Sequence, residues 1–325
     1  MFFALIGGFW FQKVYVTMAW VIIMLYVEPD FYGEFQCVAD RCAHSCCLGW
    51  EIDIDGETAA LYEGLPGALG AELRQQMCRE PEPHFCLTAE KRCPFLNEKG
   101  LCRLILGFGE DVLCDICREH PRFYNDFPQR QEAGLGLCCE EAARLLLAGE
   151  GPLELVYDRE EEDEAEEPEL IALRGKLFAV LSDFSLPMEE RIRRCCRVMD
   201  MKPLDFDAAY WRDFFLGLER MDEEWRLALL TVGPELPLLT GDAKHTRLLQ
   251  YMLYRHFAVA EDRGQAGLIL QFCVLSLRLL RAMEQSGGEL QELVRLWSAE
   301  IEYSDENIGE ILKAIKTLLF QKEQI

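Results

Sequence analysis

CVADRCAHSCCLGW, residues 37–50, places four cysteines within eleven positions: Cys37, Cys42, Cys46 and Cys47. Adjacent thiols at Cys46 and Cys47 are awkward for core packing, and thiolates this close repel one another unless a cation neutralises them. Working outward, CPFLNEKGLC brings Cys93 and Cys102, CDICREHPRFY brings Cys114 and Cys117, and LCCEEAAR brings Cys138 and Cys139. Twelve of the fifteen cysteines lie between residues 37 and 139, so this half of the chain is organised around sulfur. Disulfide scaffolds are usually short and loop-rich, and an odd total leaves one thiol over. Metal ligation is therefore the expectation.

Eight cysteines stand out by placement as metal ligands: Cys37, Cys42, Cys46, Cys47, Cys93, Cys102, Cys117 and Cys139. Zinc sites usually arrive as two C-x2-4-C pairs, and iron–sulfur clusters take four thiolates, often with one distant ligand. C-x4-C-x3-C-C fits neither cleanly. Eight thiols could hold two zinc ions, or one four-thiolate cluster with some left over, and spacing does not choose. Cys78, Cys86, Cys114 and Cys138 carry less weight, although Cys114 and Cys117 make a competing C-x2-C pair. Cys195, Cys196 and Cys273 sit in helical, partly apolar segments and read as buried thiols. His44 and His120 lie beside ligand cysteines and read as supporting or surface groups, while His245 and His256 read as packing residues. LILGFGED, residues 104–111, imitates a nucleotide-cradling strand and turn, but it lacks a third glycine and a surrounding βαβ unit. Asp53 and Asp55 could serve acid–base work, or simply mark an exposed strand edge.

A formal charge of −24 and a pI near 4.6 exclude a broad electrostatic hold on nucleic acid or anionic lipid and suit a basic protein partner. Residues 1–23 are an apolar extension with neither a basic leader nor a small-residue cleavage site. Lys13 divides it into pieces shorter than the roughly 18–20 residues a span requires. The expectation is translation from Met18 or Met24, against a single-pass anchor that tolerates Lys13, and a cytoplasmic protein. Membrane association is not expected unless that extension is real.

The pattern along the chain predicts a mainly α protein, with a cysteine-rich metal-binding half of irregular and short-strand structure packed on a C-terminal helical bundle. Residues 24–150 form the metal-cluster domain, 151–168 an acidic linker and 169–325 the helical domain. A helix is expected from about Glu57 to Met77, interrupted near Pro66 and Gly67, and another over 140–149. The C-terminal half reads as six or seven helices. RLLQYMLYRHFAVA puts Leu248, Leu249, Met252, Leu253, His256 and Phe257 along one face. LILQFCVLSLRLLRAM is apolar enough for a central helix. SDENIGEILKAIKTLLF starts on Ser304 or Asp305 as N-cap and carries a stripe from Ile308 to Leu319.

These residues resemble the flagellin lysine-N-methylase family and, more distantly, small zinc- or iron-chelating proteins with a CxxCxxCC signature. The likeness runs through YVEPDFYGEFQC, CAHSCCLGWEIDID, CPFLNEKGLCRLI, ICREHPRFY and CCEEAARLLL. It continues at FFLGLERMDEEWR, YMLYRHF and YSDENIGEILKAI, covering about residues 25–320. It implies methyl transfer from S-adenosylmethionine to surface lysines of flagellin, and a cysteine-ligated iron–sulfur centre such as [4Fe–4S], with zinc as the alternative. The eight cysteines match the family's cysteine positions. Cys138, Glu140 and Cys114 depart from its pattern and leave the ligand set open. An open iron site would orient the donor's amino and carboxylate groups, and a carboxylate or tyrosine would take the amine proton, with no residue assigned to that role. The alternative function is a non-catalytic zinc or iron–sulfur protein that docks a partner. A long helical half, which a bare chelating module would not need, separates the two readings.

Overall fold

The computed structural model describes residues 24–158, 168–239 and 241–323. The apolar extension and most of the acidic run lie outside the described residues. Mainly α is the class: thirteen α-helices accompany a small mixed sheet.

The sheet is assembled from distant pieces. Strand β1 (Leu25–Pro29) is followed by α1 (Gly56–Gly64), α2 (Gly67–Gln76) and a two-residue hairpin, β2 (Met77–Cys78) with β3 (His84–Phe85). Next come α3 (Arg103–Phe108), α4 (Asp115–Glu119), β4 (Arg122–Phe127), β5 (Arg130–Leu135), α5 (Glu140–Ala148) and β6 (Leu155–Tyr157). The order is β4-β5-β1-β6, with β1 parallel to β5 (Leu25 opposite Arg130) and antiparallel to β6. Gln129 turns the β4–β5 hairpin at a φ of +62°. Beneath the sheet, the fully buried Glu132 receives Arg130 at 2.8 Å and Arg174 at 2.5 Å. Arg174 comes from the first helix after the acidic run, Glu169–Leu181, so this pair of contacts ties sheet to helices.

Eight helices follow the acidic run, more than the six or seven expected: α6 (Glu169–Leu181), α7 (Met188–Val198), α8 (Ala208–Gly217), α9 (Glu223–Leu230), α10 (Ala243–His256), α11 (Arg263–Gln285), α12 (Leu290–Trp297) and α13 (Asp305–Glu323). The extra count comes from the short α8 and α9, each opened by its own aspartate cap, Asp207 and Asp222. α10 is buried nearly all round instead of along one face. α11 is the central helix; it is the one described helix long and apolar enough to cross a membrane, and its residues are mostly buried inside the protein. Ser304 caps α13, its Oγ accepting from the Asn307 amide at 3.2 Å.

Buried apolar residues form two clusters. The larger joins residues on both sides of the acidic run, from Phe31, Leu135 and Leu146 to Leu270, Trp297 and Ile311. The smaller lies wholly between Ile52 and Cys117.

Candidate functional site

The Cys37–Trp50 loop lacks regular structure apart from a single turn at Ala39–Arg41, so outside contacts fix its course. The amides of Ala43 and His44 donate to the Glu140 carboxylate at 3.0 and 3.1 Å, and His44 Nε2 lies 3.1 Å from Glu292 on α12. Glu140 opens α5 immediately after Cys139, so these bonds carry Cys139 to the loop. Cys37, Cys42 and Cys46 become its electrostatic neighbours. The Cys46 thiol points at Cys47, and from there the second residue belongs to different company. The Cys47 carbonyl accepts the Cys93 amide at 2.9 Å, and Cys93, Cys102, Cys114 and Cys117 surround the same small core.

The eight sequence-predicted ligands thus fall into two adjoining groups: Cys37, Cys42, Cys46 and Cys139 in one, and Cys47, Cys93, Cys102 and Cys117 in the other. Cys114, given less weight on spacing, sits inside the second group and is fully buried. Its signal was position: Cys102, Cys114 and Cys139 all hold helix N-cap places, where first-turn amides face sulfur and favour thiolate, although none closes a full capping bond. Asp55 contributes here as well. It caps α1 through the Thr58 amide and accepts the Asp115 amide at 3.0 Å, fixing the start of α4.

Ionisation is uneven across the assembly. The Cys46 thiol's hydrogen bond lowers Cys47 to about 7, helped by Ser45 and Arg92 against the opposing effect of burial. Cys46 is raised in exchange, by that same bond and by burial. Burial pushes Cys42 up to about 11 and Cys93 up to about 12. Among the described residues, no three histidine, cysteine, aspartate or glutamate side chains meet at one point in a formed metal site. What the fold supplies is soft donors in number, kept near one another, with Cys93 and Cys114 buried and Cys37 and Cys46 exposed.

Three outlying cysteine features differ from this assembly. Cys78 and Cys86 are joined in a disulfide across the β2–β3 hairpin, a pairing not anticipated from the sequence. Cys195, Cys196 and Cys273 are buried in the helical core. Cys138 turns away from its neighbour Cys139 and receives a hydrogen bond from the Tyr303 hydroxyl; burial pushes its thiol up to about 12. LILGFGED forms the short helix α3 ended by Gly109 at a φ of +91°, with no strand and no phosphate cradle.

Tyr303 leads to a pocket of about 340 Å³ between the sheet and helices α10, α11 and α13. Its polar floor is Glu302, fully buried, with Ser298 Oγ at 2.6 Å, His256 Nε2 at 3.1 Å and Arg255 at 3.7 Å. Burial works to raise the Glu302 carboxyl, but Arg255 and His256 outweigh it and hold the group below its usual value. Arg255 lies over the rings of Phe123 and Tyr303. A π-helical turn, Ser298–Glu302, aims Glu302 inward; such widened turns recur at functional sites. Sequence reasoning treated His256 as packing and passed over Arg255 and Glu302. Their presence in or beside YMLYRHF and YSDENIGE was the available clue.

Fold and site together define a class: mainly helical proteins that gather thiols from several separate segments and hold a charged pocket among their helices. By sequence the chain is similar to a flagellar biosynthetic protein and to lysine-N-methylases. It is 28% identical over 127 residues to the flagellar biosynthetic protein FliU of Salmonella muenchen, covering 37% of this chain and 75% of that one. It is 27% identical over 127 residues to proteins named lysine-N-methylase from Salmonella typhimurium and Salmonella choleraesuis. That match spans 37% of this chain and about a third, 32%, of each of theirs. No family model and no solved structure matches the chain.

Proposed function

We propose that this protein is a protein-lysine N-methyltransferase that transfers the methyl group of S-adenosylmethionine to surface lysines of flagellin. The similarity to lysine-N-methylases and to FliU carries this reading. The thiol assembly supports it through residue type, and the pocket is lined in part by the helical motifs that resemble that family.

The residues fit an iron–sulfur centre in donor chemistry: soft thiols, several at helix N-caps. Cys37, Cys42, Cys46 and Cys139 would hold it on one side, or Cys47, Cys93, Cys102 and Cys117 on the other, with Cys114 as a further donor. A [4Fe–4S] cluster is the proposed occupant and zinc the alternative. Bound there, such a group supplies a Lewis-acidic anchor for polar groups of the methyl donor.

The chain's own residues do the positioning. Glu140 and Glu292 fix the loop through Ala43 and His44, and Tyr303 links the pocket to Cys138. In the reaction the lysine amine, once deprotonated, attacks the methyl carbon. The C–N bond forms as the C–S bond breaks, sulfur keeps its electron pair as a thioether, and the amine's proton passes to a base.

Anaerobically purified protein, with iron and zinc counted, should transfer label from methyl-labelled S-adenosylmethionine to flagellin. No label in flagellin removes the reading. Full transfer after iron is stripped keeps the methylase and removes the cluster from catalysis.

A further inference from the structure

The pocket between the sheet and α10, α11 and α13 has three properties that together select a ligand. Its walls are apolar: Phe272 and Ile269 from α11 stand opposite Ile308 and Leu312 from α13. Its carboxylates, Glu302 and Asp305, outnumber its one guanidinium, Arg255. Arg255 and Glu302 answer each other, His256 is already bonded to Glu302, and the exposed Asp305 is left without a cation. Asp305 and Glu306 fill the first turn of α13, so the positive end of that helix is already met by carboxylates. Finally, about 340 Å³ lies at the bottom of the usual range for ligand pockets and readily admits one unbranched side chain.

We infer that this pocket receives the side chain of the substrate lysine, its methylenes against Val259, Ile308 and Leu312 and its charged nitrogen drawn in by Asp305. The class of ligand is a primary alkylammonium; that it comes from a protein lysine rests on the methyltransferase reading. An anion finds no free cation inside, because Arg255 is committed to Glu302, Tyr251 and the rings of Phe123 and Tyr303. The net charge of −24 favours approach of a basic segment from outside.

The test uses the full chain and n-butylammonium as probe, with n-butanol and butyrate as neutral and anionic controls, followed by ligand-observed NMR. Butylammonium should bind more tightly than either control. Ile308→Trp, which fills the pocket from a half-buried position, should abolish binding. Asp305→Asn should weaken it about fivefold, the scale of one solvent-screened ion pair. Thermal melts of both variants check that the fold is kept. The inference fails if butanol binds as well as butylammonium, or if neither substitution changes binding. The two readings separate cleanly. Charge-selective binding without methyl transfer to flagellin keeps the pocket and removes the methylase, whereas transfer with an unchanged KM for a lysine peptide in Ile308→Trp keeps the methylase and removes the pocket.

Discussion

Fifty-one buried apolar residues hold the helices and the sheet together, whereas eleven, two of them cysteines, make the whole core between Ile52 and Cys117. The first region follows the ordinary route. α11 buries most of its surface, and at about 2 kcal/mol for each large apolar side chain the fold has ample driving force against chain entropy. The second has too little apolar surface to stand in the same way. It compensates with cross-links: the Cys78–Cys86 bridge, the Asp55 bonds that join α1 to α4, and thiols placed where a bound cation would fasten Cys47 to Cys93, Cys102, Cys114 and Cys117. A region whose order depends on cross-links should respond to sulfur chemistry, and one whose order depends on burial should not.

The contrast can be broken most forcefully at Glu132. Glu132→Ala removes the buried carboxylate that Arg130 and Arg174 share and should cost about 4 kcal/mol, read by denaturant unfolding. A loss under 1 kcal/mol would mean that burial alone holds sheet to helices. Replacing Cys78 and Cys86 together by serine should cost about 2.5 kcal/mol, from the entropy of so short a loop. Hydrogen exchange should place that loss in α1, α2 and the β2–β3 hairpin. Equal loss of protection in α10 and α11 would mean that the two regions are one cooperative unit.

A smaller effect sharpens the boundary itself. His120, between α4 and β4, is held neutral by burial, which lowers it to about 4 from an ordinary 6.5. The unfolded chain therefore binds the extra proton first. Stability is unaffected above pH 6.5 and falls between pH 6.5 and about 4, by roughly 2 kcal/mol at most once its partial exposure is allowed for. His120→Gln should flatten that slope in a pH series of melts. An unchanged slope assigns the acid sensitivity to other groups.

Much of the helical region was legible because its signals are local. Pro66 and Gly67 split α1 from α2 where expected, Ser304 capped α13, and the apolar run of α11 became the central helix. The short α8 and α9 escaped because each offers fewer than three turns of periodicity. The sheet was less legible. β1 pairs in parallel with β5 across more than a hundred residues, and nothing near Leu25 announces Arg130 as its neighbour. In the site, residue type pointed to sulfur but spacing could not sort it. Cys114 gained its place as an N-cap bonded to Cys117 and Cys138 took Tyr303 as its hydrogen-bond partner, both effects of three-dimensional packing. The pocket was hidden for the same reason, since Arg255, His256 and Glu302 become one network only when α10 meets the π-helical turn.

Cys46 and Cys47 are consecutive, and beyond the bond between them their sulfurs have different neighbours. That one thiol-to-thiol contact is the seam where the two circles of sulfur meet. A change of charge in either circle therefore reaches the other across a single hydrogen bond.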